Sequence, residues 1–256
     1  MYIIFTIIRG GFFGYYGDLD YVGFTLFGFF HIATLVFSVF LILAVCHIYK
    51  GLKSAKRLKM IRVIASIIVI MELVQQFSFP ILHGMVVIEY LPFQLCGLMI
   101  IVITIYAISP DRFGETAGEI LYALGLAGFA AALIFPNWTM YPIMNFYNLK
   151  SFFIHGLQMA FVLMLVVSGE IRPSPKKIKR PVLFLAIVVP PIYIFNLIAG
   201  TNFMFVNAGS PGSPLEVLVD TFGNPGFLIP YAGLVVLVLF LMYLPWYLKD
   251  RRSLKP

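Results

Sequence analysis

Seven apolar segments, each long enough to cross a lipid bilayer, alternate with short polar connections along this 256-residue chain. A helix needs about 20 mostly apolar residues to span the hydrocarbon layer, and it satisfies its own backbone hydrogen bonds there. Hydrophobic residues make up 61% of the chain and charged residues only 11%, so a soluble globule cannot bury this apolar surface. No segment shows the alternation that marks a membrane β-barrel. The sequence therefore predicts an all-α, polytopic helical bundle.

The predicted transmembrane domain covers residues 25–247. Its seven spans are residues 25–48, 61–82, 90–108, 116–135, 151–169, 181–201 and 225–247. Residues 1–24, which include Asp18 and Asp20, are predicted to form an interfacial segment. Residues 248–256 are predicted to be a basic cytoplasmic tail. No internal repeat is apparent, which counts against a transporter built from inverted repeats.

Basic residues are concentrated in alternate connections. Sixteen of the 18 Lys and Arg residues follow predicted spans 1, 3, 5 and 7, and only Arg9 and Lys150 fall on the opposite side. By the positive-inside rule, the N-terminus faces out and the C-terminus faces the cytoplasm. We therefore expect a multi-pass protein of the cell membrane. Its net charge of +7 indicates attraction to anionic lipid at the cytoplasmic face and no nucleic-acid partner.

Polar side chains within the predicted spans fall at one depth. Because a helix rises 1.5 Å per residue, six of them are expected within roughly 10 Å of the outer boundary. These six are His31, Gln94, Cys96, His155, Asn196 and Asn202. Gln158 follows His155 by one helical turn. Polar groups are costly in lipid, so such a layer indicates an interior site or pocket.

The second predicted span carries a further polar face. Glu72, Gln76, Phe79 and His83 are spaced by 4, 3 and 4 residues, which places them on one side of a helix. Charged and amide side chains in a membrane face the interior of the bundle. We therefore predict that this face points inward.

Each of these residues alone has a structural interpretation. A membrane histidine or glutamine is commonly a hydrogen-bond partner between helices, and a cysteine is a small apolar residue. A thiol acts as a nucleophile only as the thiolate, so a reactive buried cysteine needs a neighbouring base. His155 is predicted at the depth of Cys96 on another helix, and Gln94 or Asn196 could orient the imidazole or stabilise an oxyanion. Cys46 and Cys96 are far apart in sequence, so we expect no disulfide, no metal site and no soluble cofactor.

Several motifs carry a resemblance to a known family. They are Leu91-Pro92-Phe93-Gln94-Leu95-Cys96, Phe135-Pro136, Phe152-Phe153-Ile154-His155-Gly156, Asn196 with Gly200-Thr201-Asn202-Phe203-Met204-Phe205, and Tyr243-Leu244-Pro245. From about residue 25 to residue 247 the chain resembles the YwaF family of bacterial integral membrane proteins. That family is similar to an animal transmembrane acyltransferase that remodels ether phospholipids, in which a cysteine and a histidine are implicated.

The resemblance implies that Cys96 and His155 correspond to those two residues. Many members of the family place a histidine two positions before the cysteine, where this chain has Gln94. A glutamine donates and accepts hydrogen bonds but does not act as a base near neutral pH. A histidine required there would have to be His31 or His155.

The leading hypothesis is a lipid acyltransferase or transacylase that acts on phospholipid or lysophospholipid. In it Cys96 attacks an acyl ester to form a thioester, and His155 is the general base and then the general acid. The other candidate binding or oxyanion residues are Gln94, His31, Asn196, Asn202, Gln158 and Glu72. Three alternatives stay open: an intramembrane lipid hydrolase, a transporter or lipid-binding protein with a polar pocket, and a scaffold for other membrane proteins.

Overall fold

The computed structural model describes residues 11–14, 23–84, 88–210 and 212–253. These residues form eight α-helices and no strand. The helices are α1 (Phe29–Lys50), α2 (Ser54–His83), α3 (Leu95–Ile108), α4 (Pro110–Ile134), α5 (Phe146–Val167), α6 (Lys179–Ala199), α7 (Pro214–Phe222) and α8 (Leu228–Ser253). The predicted all-α class is confirmed.

Among the residues that the structure describes, five helical segments are long and apolar enough to cross a membrane. They are α1, α4, α5, α8 and Pro175–Ala199, which contains α6, and each overlaps one of the predicted spans. The third predicted span corresponds to the shorter apolar helix α3, and the second lies within α2, which is not among the five. The number of seven spans and the outward N-terminus stay predictions. Most of the predicted interfacial segment, and the last three residues of the predicted tail, lie outside the described residues.

Two helical features differ from the sequence prediction. Helix α4 begins at Pro110, ahead of the predicted start at residue 116, and proline is favourable at a first helical position because its φ is already helical. Helix α7 was not predicted. Its start has a recognisable signal, because the hydroxyl of Ser213 accepts a hydrogen bond from the backbone N–H of Leu215 at 3.3 Å and Pro214 follows the cap.

The chain divides into two compact units. The first unit comprises residues 1–91 and 129–161, and the second comprises residues 92–128 and 162–256. A mainly aromatic hydrophobic cluster forms the core of the first unit, and its buried members are Phe24, Phe79, Leu133, Trp138, Tyr141, Tyr147 and Phe152. In the second unit, helix α4 contains a π-helical turn at Leu121–Gly125 whose residues are all buried.

The spanning helices differ in how much of their surface the protein covers. In α4 and α5, 67% and 61% of the residues in the most apolar window are buried, against 11% in α1, in α8 and in Pro175–Ala199. An apolar helix that the protein leaves uncovered is one that faces lipid. We infer that α1, α8 and Pro175–Ala199 present most of their apolar surface to lipid.

Candidate functional site

The eight predicted site residues divide equally between the two units. The first unit contains His31, Glu72, His155 and Gln158, and the second contains Gln94, Cys96, Asn196 and Asn202. The predicted nucleophile and the predicted base therefore belong to different units. Their pairing stays a prediction.

His155 lies on α5 and is partly exposed. Its Nδ1 is 2.6 Å from the carbonyl oxygen of Ser151, and because a carbonyl can only accept, Nδ1 carries the proton. Within the described part of the chain, Nε2 has no hydrogen-bond partner. The lone pair on Nε2 is therefore available to take a proton, which is the tautomer that a general base requires.

Trp138 holds the ring of His155 in place. The two rings are nearly parallel, with centroids 5.1 Å apart and planes 13° apart. The Phe152 ring packs nearly perpendicular to that of Trp138, with centroids 5.3 Å apart. Trp138 is 9% exposed, and its Nε1–H has no hydrogen-bond partner among the described residues. A buried donor without a partner costs about 1–3 kcal/mol, so this N–H is an unused hydrogen-bonding group beside the imidazole.

Glu72 is paired with a lysine that the sequence analysis assigned to a loop. Lys150 lies inside α5, is 6% exposed, and donates to the Glu72 carboxylate at 2.6 Å. Gln76 donates to the other carboxylate oxygen at 3.0 Å and also to the carbonyl of Tyr90. The predicted loop position of Lys150 is wrong, because α5 already begins at Phe146. A buried charge in an apolar helix is tolerated when an opposite charge pairs with it, as Glu72 does here.

The predicted inward face of α2 is confirmed. Phe79 and His83 are 1% and 8% exposed, and Glu72 and Gln76 are half-buried. Ser78, on the same helix, makes a 3.1 Å hydrogen bond with the hydroxyl of Tyr147. This side of α2 therefore carries polar groups that bind other polar groups of the first unit.

His31 has both of its ring nitrogens occupied by backbone groups. Nδ1 accepts from the N–H of Phe27 at 2.9 Å, and Nε2 donates to the carbonyl of Leu133 at 2.8 Å. The side chain is fully buried, and Phe27 has a φ of 58°, in the left-handed region that non-glycine residues rarely adopt. His31 thus fixes the chain at the start of α1, and no ring nitrogen is left for a ligand. Gln158, also fully buried, lies one turn after His155 on α5.

In the second unit, Cys96 lies in the first turn of α3 and Gln94 is the residue that precedes this helix. The Oε1 of Gln94 accepts from the backbone N–H of Met204 at 2.8 Å, so its NH₂ group points to the other side of the amide. A Cβ on Gly128 of α4 would lie 3.9 Å from the sulfur of Cys96, so the thiol packs against this glycine. Both Cys46 and Cys96 are thiols and both are partly exposed.

Asn196 and Asn202 fold the segment that follows α6. Asn196, 2% exposed, donates to the carbonyl of Phe203 at 3.0 Å and to Asn207 at 2.7 Å, and accepts from Thr201 and from the N–H of Phe203. The Oδ1 of Asn202 accepts from the N–H groups of Asn207 and Ala208. These hydrogen bonds stabilise the positive φ of 57° at Met204. The two asparagines therefore serve the backbone of this segment.

A further buried carboxylate lies in the second unit, and the sequence analysis gave it no role. Glu119 on α4 is 2% exposed and accepts from the hydroxyl of Tyr243 at 2.7 Å and from the N–H of Ser174 at 3.0 Å. Tyr243 belongs to the Tyr-Leu-Pro motif that was singled out in the sequence. The motif thus joins α8 to α4.

Three contributors near the candidate base were missed by sequence reasoning: Trp138, Lys150 and Ser151. Lys150 had a usable signal, since a basic residue at the start of one apolar segment matches an acidic residue inside another. The sequence held no signal for Trp138 or for the Ser151 carbonyl, because a ring stack and a backbone acceptor depend on the path of the folded chain. No group of three or more His, Cys, Asp or Glu side chains in the described ranges is arranged to hold a metal ion.

Comparison with known proteins gives the family of the chain. No curated protein and no solved structure matches it. The model of the TMEM164 family, a family of transmembrane proteins, matches residues 26–246. This range agrees with the extent of the resemblance found in the sequence, whereas the YwaF name and the similarity to an acyltransferase stay predictions. The match covers most of the chain, and the protein is therefore a membrane protein that belongs to the TMEM164 family.

Proposed function

We propose that this membrane protein transfers a fatty acyl group from one phospholipid to a lysophospholipid, with Cys96 as the nucleophile and His155 as the base. The observation that carries the proposal is the hydrogen bonding of His155. Its Nδ1–H is held by the Ser151 carbonyl, Nε2 keeps a lone pair, and the Trp138 ring fixes the plane. A base held in this way can take a proton without reorientation.

The position of Cys96 supports its role as nucleophile. The first backbone N–H groups of a helix have no partner within the helix and favour negative charge nearby. Cys96 is the second residue of α3. The apolar surroundings of the helix oppose formation of the thiolate, so a base is still required, and His155 would supply it.

The proposed reaction has two balanced halves. In the first, His155 Nε2 takes the thiol proton, the Cys96 sulfur attacks the ester carbonyl of the donor lipid, and the carbon–oxygen bond breaks. The leaving lysolipid oxygen takes the proton from His155, and the acyl group remains on Cys96 as a thioester. In the second half, His155 takes the proton of the acceptor hydroxyl, whose oxygen attacks the thioester. The Cys96 sulfur leaves and regains the proton.

Gln94 is the best oxyanion donor of the three amides that the sequence suggested. Its Oε1 is bound to Met204, which leaves the NH₂ group to donate to a developing negative charge. Asn196 uses its amide for the loop backbone and for Asn207, and Asn202 donates to Ala208. We therefore assign the oxyanion role to Gln94.

The test is acyl exchange in proteoliposomes that contain a phospholipid with a labelled acyl chain and a lysophospholipid acceptor. Cys96→Ala and His155→Gln should each lower the rate by a factor of about 100 or more, the size of effect that follows loss of a nucleophile or base. Cys46→Ala and His47→Gln, which change the same residue types on α1, should leave it unchanged. A labelled thioester on Cys96 should be detected by mass spectrometry.

The same assay separates the alternatives. Accumulation of free fatty acid without a new ester would indicate a hydrolase. Lipid or solute uptake that survives Cys96→Ala but not Glu72→Gln would indicate a transporter. Full exchange activity in Cys96→Ala would exclude the thioester mechanism.

A further inference from the structure

The amide of Gln94 binds a distant part of the second unit and not its own helix. Gln94 precedes α3, and its backbone carbonyl accepts from the N–H of Leu98 at 3.0 Å. A polar side chain at this position commonly accepts from a backbone N–H in the first turn of its helix. The side chain of Gln94 makes no such bond and accepts instead from the N–H of Met204, 110 residues away. Its orientation is therefore set by tertiary structure.

The donor decides which way the amide of Gln94 faces. A glutamine amide can be turned over about its last side-chain bond, which exchanges the oxygen and the nitrogen. A backbone N–H can only donate, so the atom 2.8 Å from the nitrogen of Met204 is Oε1. The NH₂ group is thereby directed away from Met204. The N–H of Met204 thus selects one of two amide orientations.

This N–H belongs to a strained stretch of backbone. Met204 and Phe205 have φ values of 57° and 53°, in the left-handed region that residues other than glycine rarely adopt. Such a conformation persists only where the surrounding structure enforces it. Asn196 does so by binding both backbone groups of Phe203, the N–H at 2.9 Å and the carbonyl at 3.0 Å. The strain is therefore held at the residue that binds Gln94.

Helix α8 binds the other backbone group of Met204. The hydroxyl of Tyr231 donates to the Met204 carbonyl at 3.1 Å. The ring of Tyr231 is stacked on that of Phe227, with centroids 6.3 Å and planes 11° apart, and Phe227 is fully buried. The backbone of Met204 thus joins Tyr231 on α8 to Gln94 at the start of α3.

We propose that Met204 and Tyr231 are positioning residues for acyl transfer, which hold the Gln94 amide with its NH₂ group toward the oxyanion. Gln94 and Cys96 are two residues apart, so the amide and the thiol extend from the same turn of the chain. A donor stabilises a developing negative charge most when its direction is fixed before the reaction. This inference rests on the proposed function, because it requires the oxyanion role of Gln94.

The experiment is a double-mutant cycle in the proteoliposome exchange assay. Gln94→Leu should lower kcat about 100-fold, the size of effect that follows loss of an oxyanion donor. Tyr231→Phe should lower kcat about tenfold and leave KM for the donor lipid unchanged. In the Gln94→Leu chain, Tyr231→Phe should lower kcat no further, because its effect passes through Gln94. The matched control is Tyr247→Phe, which removes a hydroxyl from the same helix and should leave kcat unchanged.

A second measurement tests the contact without using activity. Hydrogen exchange of the Met204 amide can be followed by NMR in the full chain labelled with ¹⁵N-methionine, and Met204→Leu identifies its signal. Gln94→Leu should make this exchange about tenfold faster or more, because the N–H loses its acceptor. Gln94→Glu keeps an acceptor oxygen but has no NH₂ group. It should leave the amide protected and still lower kcat.

The outcomes separate this inference from the proposed function. An equal effect of Tyr231→Phe with and without Gln94 would show a general structural role and overturn the inference. Unchanged exchange of the Met204 amide in Gln94→Leu would overturn it as well. Full activity in Tyr231→Phe, with activity lost in Cys96→Ala, would overturn the inference and leave the proposed function standing. Absence of acyl exchange in the unchanged chain, or full exchange in Cys96→Ala, would overturn both.

Discussion

The polar residues of the two units serve different purposes. In the first unit, polar side chains bind one another across helices, as Glu72 and Lys150 do, and His155 keeps one ring nitrogen without a partner. In the second unit, Asn196 and Asn202 bind mainly the backbone of one irregular segment. The same sequence signal, a polar residue in an apolar span, thus has two causes. A side chain whose hydrogen-bonding groups are all occupied builds the fold, and one with a group left over is available for chemistry.

The largest expected effect is on the buried ion pair. Lys150→Ala leaves the Glu72 carboxylate buried without its cation, and breaking a buried pair in this way costs about 3–5 kcal/mol. We expect a loss of that size in the free energy of unfolding, measured by titration with sodium dodecyl sulfate in mixed micelles. The exposed Lys176→Ala is the control.

Replacing both residues of the ion pair is a sharper test of its structural role. Glu72→Leu with Lys150→Leu removes both charges together, so the double variant should recover most of the lost stability. A cost below about 1 kcal/mol for Lys150→Ala alone would contradict the assignment of a structural ion pair.

The next effect concerns the segment after α6. Asn196→Ala removes four hydrogen bonds and leaves Phe203 and Thr201 with buried groups that lack partners, so we expect a cost of about 3 kcal/mol. Asn202→Ala should cost about 1 kcal/mol, because its partners at Asn207 and Ala208 are nearer to solvent. The measurement is again the free energy of unfolding. Equal costs for the two variants would show that burial does not set the difference.

The smallest of the three effects separates two histidines. His31→Phe removes the partners of the Phe27 N–H and the Leu133 carbonyl, so it should cost about 2 kcal/mol of stability and leave the acyl-exchange rate per folded molecule unchanged. His155→Gln should have the opposite effect: the free energy of unfolding should change little, and acyl exchange should be lost. Loss of exchange in His31→Phe at full stability would give His31 the role of ligand that the sequence suggested.

Much of the architecture was predictable because hydrophobic patterning acts locally. Each of the five long apolar helices overlaps a predicted span, and the 4-3-4 spacing on α2 identified its inward face. Helix α7 was missed because it is short and follows a Pro-Gly-Ser-Pro stretch, although its cap is a recognised signal. Lys150 was misplaced because a charge beside an apolar segment usually marks a helix end.

The candidate site was less predictable. Its residue types were found, because polar side chains in apolar spans are rare enough to stand out. The role of each residue was not predicted, because it depends on which hydrogen-bond partners each of its polar atoms already has. His31 and His155 look alike in the sequence, yet one has two backbone partners and the other has one.

The sequence by itself determined that this chain is an all-helical membrane protein. An apolar side chain is costly in water and a charged one is costly in lipid, and both costs depend on the residue type alone. Tertiary structure alone decided which polar atoms are consumed by the fold. Trp138 stacks on His155, Lys150 neutralises Glu72, and Gln94 binds Met204 because the chain brings distant residues within hydrogen-bonding distance. Hydrogen bonds and ring contacts act over a few ångströms, so only the folded path of the chain fixes them.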